Sequence, residues 1–129
     1  MKSPLDLTNY EPDRRSRPLE IGAPDGRYVY VQDEDDVIWA VPDDQPHLHP
    51  KVLGHARPAR FAGDLTIEHG KIVDLTNCSG TFQFDDAAGL IAISRQLRHA
   101  GWEFARNSVK LFSYTISQRP LLLNDNEDE

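Results

Sequence analysis

The amino-acid sequence predicts an α+β fold, in which an antiparallel β-sheet of about five to six strands carries one main helix, at about residues 86–99, on one face. Three observations lead to this prediction. Short β-branched and aromatic runs alternate with turn residues between residues 27 and 84. One amphipathic segment follows these runs. The length of 129 residues fits a single domain with one continuous core.

The first predicted hairpin joins strands at Arg27–Val31 and Val37–Val41. The gap between them has a length at which antiparallel hairpins are common. We expect its acidic residues to form a solvated tip that can face a partner, because carboxylates are rarely buried without partners. These partner-facing candidates are Asp33, Glu34, Asp35 and Asp36.

Residues 42–50 contain three prolines and are predicted to form a loop, because proline cannot donate to a sheet ladder. A second hairpin is predicted at Phe61–Glu68 and Lys71–Leu75, where Gly70 supplies the positive φ that a tight turn needs. A third short strand is expected at Thr81–Phe84, after a turn at residues 77–80.

The main helix is predicted over residues 86–99, with Asp85 as its N-cap and Gly101 as its stop. Its apolar residues recur at helical spacing and define one buried side. Gly89 lies inside this helix, where glycine is unfavourable, and therefore indicates a close packing contact. A final strand is expected over Ser108–Ile116.

The domain limits follow from composition. Residues 1–26 contain four prolines and an Arg-Arg-Ser-Arg cluster, and we interpret them as an extended N-terminal arm that can lie on the domain. Residues 27–118 form the single α+β domain, and residues 119–129 form an acidic C-terminal tail. The arginine cluster is typical of a solvated segment, and contact with nucleic acid or an acidic protein is the alternative.

The formal net charge of −7 disfavours binding to nucleic acid or to an anionic membrane, because both require clustered cations, and it favours a basic protein partner. The single cysteine, Cys78, excludes an internal disulfide and fits a reducing compartment, so we expect a cytoplasmic protein. The apolar runs are only a few residues long, and we expect neither a signal peptide nor a membrane span.

The candidate site is a concave surface built from the loop at His49, the strand at Gly63 and the turn at Ser79. Asp64 could act as a general base there, although strand alternation directs its side chain towards solvent or a partner. Two arginines flanking Pro58 could bind an anion or belong to a solvated loop. The candidate binding residues are His49, Arg57, Arg60, Asp64, Ser79, Gly80 and Thr81.

Metal and nucleophilic chemistry are poorly supported by the sequence. His49, His55, His69 and Cys78 show no recognised ligand spacing, so we expect no metal and no cofactor. A nucleophilic Cys78 or Ser79 with His49 as base would need a third activating group, which the sequence does not show.

A series of short motifs resembles a known module. Over about residues 27–113 the chain is similar to the hairpin-rich domain found C-terminal to the IQ motif in plant IQ-motif calmodulin-binding proteins, and in related bacterial and fungal proteins of unclear role. The matching segments are Arg27-Tyr28-Val29-Tyr30-Val31, Ile38-Trp39, His49, Ala62-Gly63, Gly70 and Ser79-Gly80-Thr81-Phe82. The resemblance implies a further helix and strand after these motifs.

The chain departs from the module at one position, where Thr81 replaces the histidine that usually follows Ser-Gly. It also contains no IQ motif, so calmodulin binding is not implied. We therefore favour a non-enzymatic protein-binding module, such as an inhibitor or immunity protein for a basic partner. The alternative is an enzyme or small-ligand domain with a site around His49, Asp64 and residues 79–81, and a third is an accessory module of a larger complex.

Overall fold

The structure is a computed structural model, and it describes residues 1–114 and 119–124. Within these residues neither helix is long and apolar enough to cross a membrane. The strands are β1 (Arg17–Pro18), β2 (Gly26–Gln32), β3 (Ile38–Pro42), β4 (Phe61–Glu68), β5 (Lys71–Thr76), β6 (Val109–Leu111) and β7 (Leu121–Leu122). The helices are α1 (His49–Leu53) and α2 (Ala87–His99).

The described strands form one mixed sheet in the order β1-β3-β2-β4-β5-β6-β7. The α+β class agrees with the prediction, but the expectation of five to six antiparallel strands is wrong, because the sheet has seven strands and β5 pairs with β6 in parallel. The parallel pair arises because α2 lies between β5 and β6 in the chain. A crossover of this kind returns the chain in the same direction.

Both predicted hairpins are confirmed, since β2 pairs with β3 and β4 with β5. The second turn places both His69 and Gly70 at positive φ, at 53° and 76°. Two central residues of positive φ match the right-handed twist of the flanking strands. The carboxylate of Asp25 accepts hydrogen bonds from both of these backbone amides, at 2.7 and 3.1 Å, and so fixes the turn.

Three predicted elements differ from the structure. The segment Thr81–Phe84 forms no strand, because its phenylalanines reach the core from an irregular turn; the rings of Phe84 and Phe61 stack at 4.9 Å. The predicted loop at residues 42–50 ends in the start of α1. The strand predicted over Ser108–Ile116 is only Val109–Leu111, and residues 115–116 of that prediction lie outside the described residues.

The main helix begins one residue later than predicted. Asp86, and not Asp85, is the N-cap, and its carboxylate accepts a hydrogen bond from the Gly89 amide at 2.8 Å. The predicted close contact at Gly89 is confirmed, because an added Cβ would collide with the ring of Phe61. Gly101 follows the helix at φ 104° and allows the chain to turn away, as its position in the sequence predicts.

The two helices lie on opposite faces of the sheet. Gln32 on β2 donates to the Gln96 side chain on α2 at 2.9 Å, so α2 covers the face that Gln32 shares with its strand neighbour Phe61. The next β2 residue, Val31, points to the other face and pairs with Trp39, which lines a cavity with residues of α1. Helix α1 therefore lies on the face opposite α2.

The first part of the N-terminal arm, residues 2–13, contacts the segment before β4, the turn after β5 and α1. Lys2 forms an isolated bridge with Ala59, and the Leu5 amide donates to the Thr81 carbonyl at 2.7 Å. Further along, the Asp13 amide donates to the Lys51 carbonyl of α1 at 2.8 Å. These main-chain bonds bring residues near the N-terminus to the surface where the candidate site was expected.

Candidate functional site

Three of the seven candidate binding residues meet in one surface groove of about 430 Å³. The volume lies in the range of ligand sites in proteins. The groove is formed where the N-terminal arm crosses the space between α1 and the turn after β5. It is lined by Leu5, Asp6, His47, His49, Pro50, Gly80 and Thr81.

The turn after β5 holds Gly80 and Thr81 in this groove. The Ser79 carbonyl accepts from the Gln83 amide at 2.8 Å, which closes the turn. The Thr81 hydroxyl oxygen accepts from the Asp6 amide at 3.1 Å, so the arm and the turn are fixed to each other. Ser79 itself is 2 % exposed and its hydroxyl accepts from the Phe82 amide at 3.3 Å. Ser79 therefore serves the turn and does not line the groove.

His49 is the first residue of α1, and its ring reaches the central strand. Its Nε2 lies 2.7 Å from the Gly63 carbonyl oxygen, and because a carbonyl can only accept, this nitrogen carries the proton. Burial lowers the pKa of His49 below its ordinary value and outweighs the opposing effect of the bond to Gly63. The neutral ring then offers Nδ1 as an acceptor, and within the described residues no hydrogen-bond donor occupies it.

This environment predicts a pH effect on stability. The unfolded chain binds a proton on His49 below about pH 6.5, whereas the folded chain resists that proton until its lowered pKa is reached. The contribution of neutral His49 to stability is therefore fully present above about pH 6.5. It is lost as the pH falls from there to the lowered pKa of the folded state. His49→Gln keeps an amide donor for Gly63 but does not titrate, so urea unfolding from pH 7.5 to 5 is expected to show a smaller acid loss in the variant.

The difference between the two unfolding free energies isolates His49, since the other histidines and the carboxylates are common to both proteins. The raised pKa of Asp64 has the opposite effect on the free energy of unfolding, because the folded chain binds that proton more readily than the unfolded chain. This effect is the same in both proteins and cancels in the difference. Parallel pH profiles for wild type and His49→Gln would mean that the imidazole is not held neutral by its surroundings.

The groove also contains the carboxylate of Asp6, which was not among the site residues predicted from the sequence. Its two oxygens accept from the Thr8 hydroxyl at 2.6 Å and the Tyr10 hydroxyl at 2.7 Å. The bond from Thr8, followed by that from Tyr10, lowers the pKa of Asp6 below its ordinary value, so it is ionised at neutral pH. Asp6 lies far from residues 49–81 in sequence, and only the crossing of the arm brings it to the groove.

Asp64 lies outside the groove, in a separate polar cluster on the α1 face of the sheet. Its Oδ1 accepts from the Thr76 hydroxyl at 2.7 Å, and the same hydroxyl oxygen accepts from the Cys78 amide at 2.9 Å. Burial raises the pKa of Asp64, and the bond from Thr76 offsets this only in part. The buried Tyr30 hydroxyl donates to the Thr76 carbonyl at 2.7 Å and ties the cluster to β2.

Cys78 is poorly suited to nucleophilic catalysis. Burial raises the pKa of its thiol above the ordinary value, and the nearby carboxylates of Asp64 and Asp74 act in the same direction. The reactive form of cysteine is the thiolate, so the thiol stays protonated and weakly nucleophilic at neutral pH. The bond from the Cys78 amide to Thr76 stabilises the turn, and the side-chain bond with Thr76 lowers the thiol pKa by less than burial raises it.

The two candidate arginines do not meet at the groove. Arg60 Nε lies 3.1 Å from the Asp36 carboxylate and donates to the Glu34 carbonyl at 3.1 Å, so it is bound to the tip of the first hairpin. Arg57 lines a different cavity, beside Trp39. An anion held between Arg57 and Arg60 is not supported by these positions.

The predicted acidic tip also needs correction at Asp33, which is only 5 % exposed. Its Oδ1 accepts from the amides of Asp35 and Val37, and its Oδ2 accepts from the Trp39 indole at 2.8 Å. Burial alone would raise the pKa of Asp33, but these bonds lower it below the ordinary value. Asp33 therefore shapes the turn, while Glu34 and Asp35 remain exposed.

Across residues 1–114 and 119–124, no group of three or more His, Cys, Asp or Glu side chains is arranged to hold a metal ion. In comparisons with known proteins, no family model, no curated protein and no solved structure matches this chain. The resemblance to the domain that follows the IQ motif therefore stays a prediction.

Proposed function

We propose that this chain is a non-enzymatic binding module for a basic protein partner, and that the groove at His49, Gly80 and Thr81 receives a cationic side chain of that partner. The observation that carries the proposal is the composition of the groove. Two of the ionisable residues that line it, Asp6 and His49, present acceptors at neutral pH. A lysine or arginine side chain supplies only donors and is the complementary group.

Charge over the whole molecule supports the same partner class. The net charge of −7 attracts a basic protein over distances beyond the groove and raises the rate of encounter. Glu34 and Asp35 add exposed acidic groups at the hairpin tip. Small acidic proteins of this kind suit the role of an inhibitor or immunity protein, which covers a basic surface of its target.

Binding is favoured over catalysis by the state of the groups around the groove. The Cys78 thiol has a raised pKa, and the Ser79 hydroxyl is buried and accepts a main-chain bond. His49 uses Nε2 to hold Gly63, and Thr81 stands where the resembling module has histidine. A nucleophile activated by a base is the usual requirement for covalent catalysis, and these residues do not provide one.

Gly80 offers a direct test of the groove. An added Cβ at Gly80 meets no atom within 4 Å and the residue does not need a positive φ, so Gly80→Arg should fold while placing bulk and positive charge in the groove. Ala92→Arg adds the same charge at an exposed position of α2, on the opposite face. Immobilised wild type, Gly80→Arg and Ala92→Arg can be compared as baits in native host lysate, with mass spectrometry of the bound proteins.

We expect wild type and Ala92→Arg to retain the same basic protein, which is released by salt, and Gly80→Arg to lose it. Equal retention by Gly80→Arg, or a retained set without basic proteins, would contradict the proposal. Thermal unfolding of the three proteins confirms that each bait is folded.

A second candidate is a small-ligand or catalytic site that uses His49 as a general base. It is favoured by the 430 Å³ groove and by the unoccupied acceptor that neutral His49 presents within the described residues. Hydrolysis of p-nitrophenyl acetate by wild type and His49→Gln tests this alternative. A rate above that of equimolar imidazole, lost in the variant, would favour it, and equal rates would remove its support.

A further inference from the structure

A second groove, of about 440 Å³, lies on the opposite face of the sheet from His49. It forms where residues 19–24 fold over the side chains of Tyr28 and Ala40, which occupy the α2 face of β2 and β3. The volume is again typical of a ligand site. This groove has no part in the function proposed above.

The floor and walls of this groove are apolar and held in place. Leu19 is fixed to the sheet by its amide, which donates to the Ile38 carbonyl at 2.8 Å. The Tyr28 hydroxyl donates to the Pro24 carbonyl at 2.6 Å, so its polar end is satisfied and its ring serves as a wall. Ile21 lines the groove and remains 58 % exposed, which leaves apolar surface that a ligand could cover.

The guanidinium group of Arg17 lies beside this apolar surface. Arg17 pairs with Ala40 across β1 and β3, so the two residues share the face on which the groove lies. One guanidinium nitrogen of Arg17 donates to the carbonyls of Arg14 and Ser16, both at 2.9 Å, which orients the head group. The remaining guanidinium donors are not used by these bonds.

Arg17 differs from its neighbour Arg15 in its ion pairing. Arg15 is neutralised by Asp13 at 3.0 Å and by Asp44 at 2.6 Å. Within the described residues Arg17 forms no ion pair with a carboxylate. The groove therefore combines an apolar channel with one oriented cation that has no anionic partner there.

We propose that this second groove binds a small amphipathic monocarboxylate, with the carboxylate on Arg17 and the apolar chain on Leu19, Ile21 and Tyr28. A guanidinium recognises a carboxylate through paired hydrogen bonds, and the apolar chain gains free energy from burial. Glu20 also lies on the rim, and the whole protein is acidic, so ligands with several negative charges are disfavoured.

Octanoate and 1-octanol are matched probes, because they share an apolar chain and differ in the head group. Each can be titrated into ¹⁵N-labelled protein below its solubility limit, with backbone amide shifts as the readout. We expect octanoate to shift the amides of Gly22, Ala23, Tyr28 and Ala40, and to bind more tightly than 1-octanol.

Arg17→Gln removes the proposed anchor, and Arg14→Gln removes an exposed neighbouring charge that does not line the groove. Octanoate affinity should fall about fivefold in Arg17→Gln and stay unchanged in Arg14→Gln, whereas 1-octanol should bind both alike. Equal octanoate affinity in both variants, 1-octanol binding as tight as octanoate, or shifts located elsewhere would each overturn the proposal. The comparison of the two probes on wild type remains decisive if Arg17→Gln unfolds.

Discussion

Gly63→Ala is expected to lower the free energy of unfolding by about 3 kcal/mol or more. An added Cβ would overlap the carbonyl of Thr76 on the neighbouring strand and approach the Tyr30 hydroxyl at 2.9 Å. The Thr76 carbonyl cannot withdraw freely, because it accepts the buried hydrogen bond from Tyr30. The Gly63 carbonyl also holds His49, so displacement of β4 would disturb the groove as well. Urea unfolding monitored by circular dichroism measures the change.

Gly80→Ala is the matched control, because it makes the same chemical change at a position with open space and no positive φ. Its free energy of unfolding should stay within about 0.5 kcal/mol of wild type. A Gly63→Ala protein as stable as Gly80→Ala would show that β4 and β5 do not approach each other as closely as described.

Asn77→Ala is expected to destabilise the fold by about 3 kcal/mol. Asn77 is fully buried, and its amide nitrogen donates to the carbonyls of Phe84 and Phe112 at 2.6 and 2.9 Å. Its side-chain oxygen accepts from the Phe112 amide at 2.8 Å. Alanine leaves these main-chain groups without a partner, and each buried unsatisfied group costs about 1–3 kcal/mol, although the effects are not additive. Urea unfolding again provides the measurement.

Gln45→Ala serves as the control for amide removal, because Gln45 is exposed in the loop before α1. It should leave stability almost unchanged. Because Asn77 connects the turn after β5 to the chain after β6, Asn77→Ala should also weaken the turn that carries Gly80 and Thr81. A loss of less than about 1 kcal/mol would indicate that water replaces the Asn77 amide in this region.

The sequence predicts those parts of the fold that depend on local pattern. Alternating apolar residues and the positive-φ requirement at Gly70 identify the second hairpin, and helical spacing identifies α2. Phe82 and Phe84 account for the wrong prediction of a strand at Thr81–Phe84. Apolar residues in a short run are typical of a strand, but these two side chains are buried in the core from an irregular turn. The parallel pairing of β5 with β6 is a non-local contact, and local propensity carries no signal for it.

The candidate site was predictable only in part, because contacts between segments distant in sequence form it. His49, Gly80 and Thr81 do line one groove, but Asp64 lies in a separate cluster on the sheet. Asp6 reaches the groove because main-chain bonds fix the arm to the turn after β5, and no sequence motif marks such a crossing. Residues 125–129 of the predicted acidic tail lie outside the described residues.

The association rate of the captured basic partner, measured as a function of ionic strength for wild type, Gly80→Arg and Ala92→Arg, tests whether the acidic protein binds this partner through the groove. Electrostatic attraction between an acidic protein and a basic partner predicts a rate that falls at least tenfold between about 0.05 and 0.5 M salt. At each salt concentration Gly80→Arg should bind far more weakly than Ala92→Arg, because only Gly80 lies in the groove. A rate independent of salt, or equal affinity of the two arginine variants, would show that the groove does not receive a basic partner by electrostatic attraction.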